Sequence, residues 1–283
     1  MQQVSASLEV SPELLTYIPE LLQDLSSLGC TLEPLLRLAR VAGFGPSTRV
    51  LDLCCGKGAA TVALASELGC SVVGVDLFPP FLQEARAAAE EAGVGHLCTL
   101  VTADARAYVD FGAGIPSEAG AAHIVSLGTP SGGSLEPAAG PVAFDAVLMA
   151  AAGAVLGGYA ETVGRLRRVI RPGGWMLLEE GYLPEGFAGA LPPGYEECRP
   201  HGEAVAALAS HGDRLVEEVV VPRAQVAAFN RTAIDLIKCR AEEVAAMDPR
   251  VAESVRAYAR EQETWGAAAE TVERVLWLLR RQG

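Results

Sequence analysis

Residues 50–60 read VLDLCCGKGAA, an apolar run that ends in a glycine pair and passes into small, helix-forming residues. A strand feeding a ligand-binding turn has this form. Glycine lets backbone approach a ligand closely, and the helix that follows presents free N–H groups to the ligand's polar end. Gly56 and Gly58 fit that role, yet two adjacent cysteines, Cys54 and Cys55, stand where such a turn usually carries glycine. From the stretch alone, three readings are open: a nucleotide-type loop, a thiol or metal site, and an ordinary tight turn. A dinucleotide fingerprint would need a third small residue at Thr61, and threonine is not the glycine or alanine wanted there.

Outward from this turn the chain alternates. Strands are expected at 49–53, 71–75 and 97–101, with helices at 59–68 and 80–91 between them. After an interruption the rhythm resumes with a strand at 144–149, a helix at 159–170, a strand at 175–179, a helix near 202–210 and a strand at 214–221. Strands separated by helices of roughly 10–15 residues are the signature of a parallel sheet with right-handed crossovers. The interruption, 112–141, is dominated by Gly, Pro, Ser and Ala and reads as a long loop or lid. Upstream, 11–29 reads as helix, with Ser11 as N-cap, Pro12 at the first position and Pro19 bending or dividing it; a second helix follows at about 31–42. Downstream, 223–268 is helical, with a fresh start at Asp248-Pro249, whereas 272–280 is helix or strand by period alone.

Composition narrows the function. At 283 residues, 50% hydrophobic and 20% charged, the chain can bury one sizeable core with insertions. A net charge of −13 opposes a nucleic-acid partner, because phosphate binding draws its affinity from clustered Lys and Arg; a small molecule is the expected partner. No apolar run approaches the ~20 residues of a membrane span, and a cytoplasmic protein without a membrane partner is expected. The seven cysteines show no C-x-x-C and no zinc spacing, so no metal is expected and most read as buried thiols. The only lysines are Lys57 and Lys238, which marks a compositional bias toward arginine and weakens any special role for Lys57.

VLDLCCGKG, Asp76 closing SVVGVDLF, Asp104 in LVTADA, the strand FDAVLMAAAG and the phrase LRRVIRPGGWMLLEE, taken in order, resemble the class I S-adenosylmethionine-dependent methyltransferases over roughly residues 30–185. The resemblance implies an α/β doubly wound, seven-stranded, mostly parallel Rossmann-like sheet whose last strand is antiparallel. Residues 271–283 would then be the closing strand, inserted between strands five and six; Val272, Val275, Trp277 and Leu279 and the continuous apolar run suit a strand buried on both faces. The expected layout is an N-terminal helical cover (1–45), a core (46–222), a helical insertion (223–270) that folds over the cofactor mouth with the segment around Tyr17, and the closing strand.

For the cofactor, S-adenosylmethionine with product S-adenosylhomocysteine, the resemblance implies specific tasks. Gly56 and Gly58 leave room for the methionine and ribose, and Asp52 orients the ammonium. Asp76 accepts from the two ribose hydroxyls, Asp104 with the N–H of Ala105 reads the adenine edge, and Leu77 and Phe78 wall the ring. Cys54 and Ala150 line the same site. Both aspartates also have a purely structural reading as strand-end carboxylates capping the next helix.

The chain lacks the Asn/Asp-Pro-Pro-Tyr/Phe pattern of nucleic-acid N-methyltransferases after the fourth strand. Its phrase Glu179-Glu180-Gly-Tyr182 is similar to one in bacterial enzymes of the ubiquinone/menaquinone-biosynthesis type. Glu180 and Tyr182 are therefore the candidate substrate-pocket residues, Glu180 as acceptor of a proton or hydrogen bond and Tyr182 as wall or hydroxyl donor. The expected reaction is in-line methyl transfer to a small molecule. The alternatives are a cofactor-binding protein without transfer and an arsenite-type metalloid methyltransferase using Cys54 and Cys55.

Overall fold

A computed structural model describes residues 10–111, 123–126, 144–191 and 194–283. Eight strands form one sheet: β1 (Arg49–Leu53), β2 (Ser71–Asp76), β3 (Cys98–Thr102), β4 (His123–Ser126), β5 (Phe144–Ala150), β6 (Ile170–Tyr182), β7 (Arg214–Val220) and β8 (Glu273–Arg280), in the order β4-β3-β2-β1-β5-β6-β8-β7. Strands β3, β2, β1, β5 and β6 run parallel; β8 is antiparallel to both β6 and β7. The seven strands anticipated from sequence are all present, and the closing strand lies inside the sheet. The eighth, β4, pairs antiparallel with β3 at the edge and comes from the segment read as a loop; the rest of 112–141 lies outside the described residues.

Helices α3 (Ala59–Leu68), α4 (Pro79–Glu91), α5 (Ala105–Phe111), α6 (Tyr159–Leu166) and α7 (His201–Leu208) are the crossovers. The sequence boundaries move around β6. Helix α6 stops at Leu166 rather than 170, and β6 starts at Ile170 and runs on to Tyr182, so Glu180 and Tyr182 are strand residues opposite Val275 and Glu273. The apolar run of β8 is extended because both faces are covered: Trp277 joins the cluster of Tyr159, Val163 and Met176, and Leu276 and Leu278 join that of Leu35, Leu38 and Leu148. Burial of each such side chain contributes about 1.5–3 kcal/mol.

Helices α8 (Arg223–Met247) and α9 (Ala252–Ala269) pack on each other between β7 and β8. The N-terminal segment is not one bent helix: Pro19 sits in the first turn of a short helix, α1 (Ile18–Leu21), preceded by a 3₁₀ turn at Leu14–Thr16. A proline is tolerated there because its missing N–H would have no helical partner anyway. Leu15, Ile18 and Leu21 are buried with Ile237, Val244 and Val255 of α8 and α9 and with Phe78 and Phe81 at the start of α4. Tyr17 donates its hydroxyl to Asp248 at 2.8 Å. The N-terminal segment thus packs at once on the insertion and on the carboxyl edge of the sheet. Helix α2 (Leu32–Val41) links it to β1 and covers the sheet through Leu35 and Leu38.

Candidate functional site

Parallel strands end on one side, and the turn after β1 is where the chain tightens most. Cys54 has φ +58°, in the left-handed region where a Cβ costs roughly 1–2 kcal/mol, which is the physical reason glycine is usual there. Gly58 has φ +78°, and a Cβ on it would lie 2.6 Å from that of Ala85. It lets the turn pass against α4, and it does not line the cavity beside the turn.

The other nine expected cofactor residues, Asp52, Cys54, Gly56, Asp76, Leu77, Phe78, Asp104, Ala105 and Ala150, line one cavity of about 280 Å³ at the carboxyl ends of β1, β2, β3 and β5. Asp52 is buried and accepts from the Thr61 hydroxyl at 2.6 Å; burial pushes its carboxyl up to about 7, partly offset by that bond. Asp76 accepts from the N–H of Gly56 through one oxygen and of Phe78 through the other, both at 2.9 Å. Burial raises it as well, against those bonds. Each carboxylate oxygen can accept about twice, so Asp76 shapes the turn and keeps acceptor capacity for two hydroxyls. Asp104 caps α5 through the Arg106 N–H at 2.7 Å and pairs with the Arg106 guanidinium at 2.9 Å; burial pushes its carboxyl up, but these bonds outweigh it and hold it below its ordinary value.

The donor and acceptor set fits S-adenosylmethionine. A buried carboxylate stands ready for an ammonium, an aspartate with spare lone pairs for vicinal hydroxyls, and Leu77, Phe78 and Phe81 for a flat ring. Burial, reinforced by Asp76 and Asp52, pushes the Cys54 thiol up to about 12 and Cys55 well above its ordinary value, which favours the neutral thiols.

A second cavity, about 560 Å³, shares the wall Leu28, Ala151, Ala152 and Val155 with the first. Glu180 lines it, its carboxyl pushed up to about 7 by burial and by neighbouring Glu179. Tyr182 does not line it. Its ring packs edge-on against His201 at 4.9 Å and beside Trp277 at 6.4 Å, so the expected pocket tyrosine belongs to the packing at the sheet's end. Tyr159, Tyr195 and Trp265 supply the aromatic wall instead, and sequence reading singled out none of them. Their signal was slight; Gly194 is the nearest to one, since a Cβ there would lie 2.4 Å from the Trp265 ring. Lys57 was also undervalued. It is buried, donates to the Leu22 carbonyl at 2.7 Å and pairs with Glu84 at 2.7 Å, fastening the N-terminal segment to the glycine turn. A third cavity, about 310 Å³, lies between that segment and α8/α9.

With this geometry in place, comparison with known proteins is informative. Residues 50–123, a little over a quarter of the chain, match the family described as methyltransferase domain. Among curated proteins, none matches the chain at a significant level. A S-adenosylmethionine-dependent methyltransferase from Geobacter sulfurreducens, solved with S-adenosyl-L-homocysteine, is 21% identical with a TM-score of 0.71, over 96% of this chain and 99% of that one. One from Thiobacillus denitrificans, also with S-adenosyl-L-homocysteine, is 20% identical at 0.68, over 96% and 98%. YjhP from E. coli is 21% identical at 0.68, over 95% and 100%. The chain therefore has the Rossmann-like methyltransferase fold, with similarity to the methyltransferase-domain family over residues 50–123 and structural likeness over nearly its whole length.

Proposed function

We propose that the protein transfers a methyl group from S-adenosylmethionine to a small-molecule acceptor. The observation that carries this reading is the shared wall of two cavities, one lined by Asp52, Asp76, Asp104 and the glycine turn, the other by Glu180. When bound, the cofactor supplies a methyl group already activated by the positive charge on sulfur. The protein's own work is then positional. Asp52 holds the ammonium, Asp76 the ribose hydroxyls, and Asp104 with the N–H of Ala105 the adenine edge. Leu28, Ala151, Ala152 and Val155 keep the junction apolar and dry, and Glu180 accepts a proton where the nucleophile carries one. The N-terminal segment with α8 and α9 closes the mouth.

The test is incubation with labelled S-adenosylmethionine and a panel of thiols, amines, phenols and metalloids, alongside calorimetry with S-adenosylhomocysteine. Transfer to one class with micromolar-range product binding supports the reading; absence of S-adenosylhomocysteine binding sinks it. Binding without turnover would favour a cofactor-dependent protein that no longer transfers methyl groups, a reading kept by the stretch 150–158, which has no polar side chain before Tyr159.

A further inference from the structure

The second and third cavities adjoin through Leu28, Gly29, Tyr195, Trp265, Ala269 and Arg274, and Leu28 borders all three. Their chemistry differs sharply. The third is walled mainly by aliphatic and aromatic side chains of the N-terminal segment and α8/α9, among them Leu22, Leu25, Phe229, Ile234 and Ile237, with Asn230, Gln262 and Arg274 as its polar members. Its size and lining are those of a chamber for an apolar ligand body.

The second cavity carries four carboxylates, Glu179, Glu180, Glu196 and Glu197, and one guanidinium, Arg274. Most of these charges are engaged. Glu179 accepts from the N–H and hydroxyl of Thr31, Glu196 from the Gly194 N–H, Glu197 lies 3.6 Å from Arg199, and Arg274 donates to the Gly29 carbonyl. Among the described residues Glu180 has neither hydrogen bond nor ion pair, although it lines the same cavity as Tyr195 and Trp265. A carboxyl group without a partner, in a cavity that also holds aromatic side chains, favours a cation over an anion, and a cation placed against it in turn favours its charged form.

We propose that the methyl acceptor is an amine carried on an apolar body, with the nitrogen against Glu180 in the second cavity and the body in the third. This rests on the methyl-transfer reading and names its substrate class. Glu180 first takes a proton from the bound ammonium and passes it to solvent; the freed lone pair on nitrogen then forms the new N–C bond as the S–C bond breaks and leaves its electron pair on sulfur, and the product departs as the methylated ammonium.

The test is calorimetric binding of n-alkylamines from butylamine to decylamine, with and without saturating S-adenosylhomocysteine, beside alkanols and alkanoates of equal length. Amine affinity should rise about 3–4-fold per methylene until the chamber is full, and alkanoates should bind at least tenfold more weakly. Glu180→Gln should weaken every amine about tenfold or more and leave the increment per methylene intact. Ile234→Trp, which fills the chamber, should flatten the series without changing net charge; Phe229→Ala should extend it to longer chains and serves if the first variant does not fold. A flat series in the unaltered protein, alkanols or alkanoates that match amines, or a series whose increment in Ile234→Trp and whose longest accommodated chain in Phe229→Ala are both unchanged would overturn the proposal. Loss of S-adenosylhomocysteine binding alone would sink the methyl-transfer reading, whereas the amine series measured without it still decides this one.

Discussion

Asp76 holds the turn through its carboxylate and, in the proposed function, the ribose hydroxyls as well. Its carboxylate already accepts the Gly56 and Phe78 N–H groups, so Asp76→Ala should remove the ribose acceptor and leave two backbone donors unpaired at the cavity. Affinity for S-adenosylhomocysteine should fall about 30- to 1,000-fold, a loss of roughly 2–4 kcal/mol; calorimetry showing unchanged binding refutes the assignment. Asp52 predicts a proton signature. With its carboxyl raised to about 7 by burial, it is about half protonated at neutral pH, and an ammonium placed beside it should drive that proton off. Binding at pH 7 should release roughly half a proton, read from calorimetric heats in buffers of different ionisation enthalpy, and Asp52→Asn should abolish the release. The same shift fixes the pH dependence of the ligand-free protein. The folded state keeps a proton that the unfolded state has lost, so stability declines as pH rises from about 4 to about 7 and is flat above. Glu180 acts in the same direction. A melting temperature that rises across that window would contradict both assignments.

At the scale of elements, the glycine turn and the N-terminal segment are coupled through Lys57. Lys57→Met should free the Leu22 carbonyl and release Glu84, costing about 1–3 kcal/mol locally. Backbone amides at 14–25 should then exchange faster than in the unaltered protein while those of β1 and β5 do not; uniform exchange across both would show that the lysine fastens nothing. That lysine was illegible in sequence because its carbonyl partner is 35 residues away and its carboxylate sits on another helix. The turn itself was legible, since aspartates at strand ends and glycines after them announce their chemistry by identity. Tyr182 was misplaced for a different reason. Alternation along β6 fixes which face a side chain takes, but its lateral neighbour, His201, comes from a crossover whose position no local pattern encodes. Gly58 carried the signal of a tight turn, but the close approach to Ala85 of α4 that also demands a glycine there was not legible.

The whole molecule is organised so that the sheet closes last. β8 is an inner strand, fully paired on both sides, with Trp277, Leu278 and Leu279 inaccessible to solvent. Deletion of 271–283 should therefore abolish cooperative unfolding and leave aggregated protein, because it opens the sheet between β6 and β7. A soluble truncation that still binds S-adenosylhomocysteine would show that the strand is peripheral. Its position in the chain has a further consequence, for the timing of synthesis. The ribosome delivers β6 and β7, then the two long helices, and only then the strand that must slot between what it made first. Throughout that interval the nascent chain displays two unpaired strand edges, a hazard that folding in order of emergence does not remove. A chaperone that shields exposed edges should therefore raise the yield of this protein more than that of a chain of equal length whose central strands are translated first, and slowing translation before β8 should lower it.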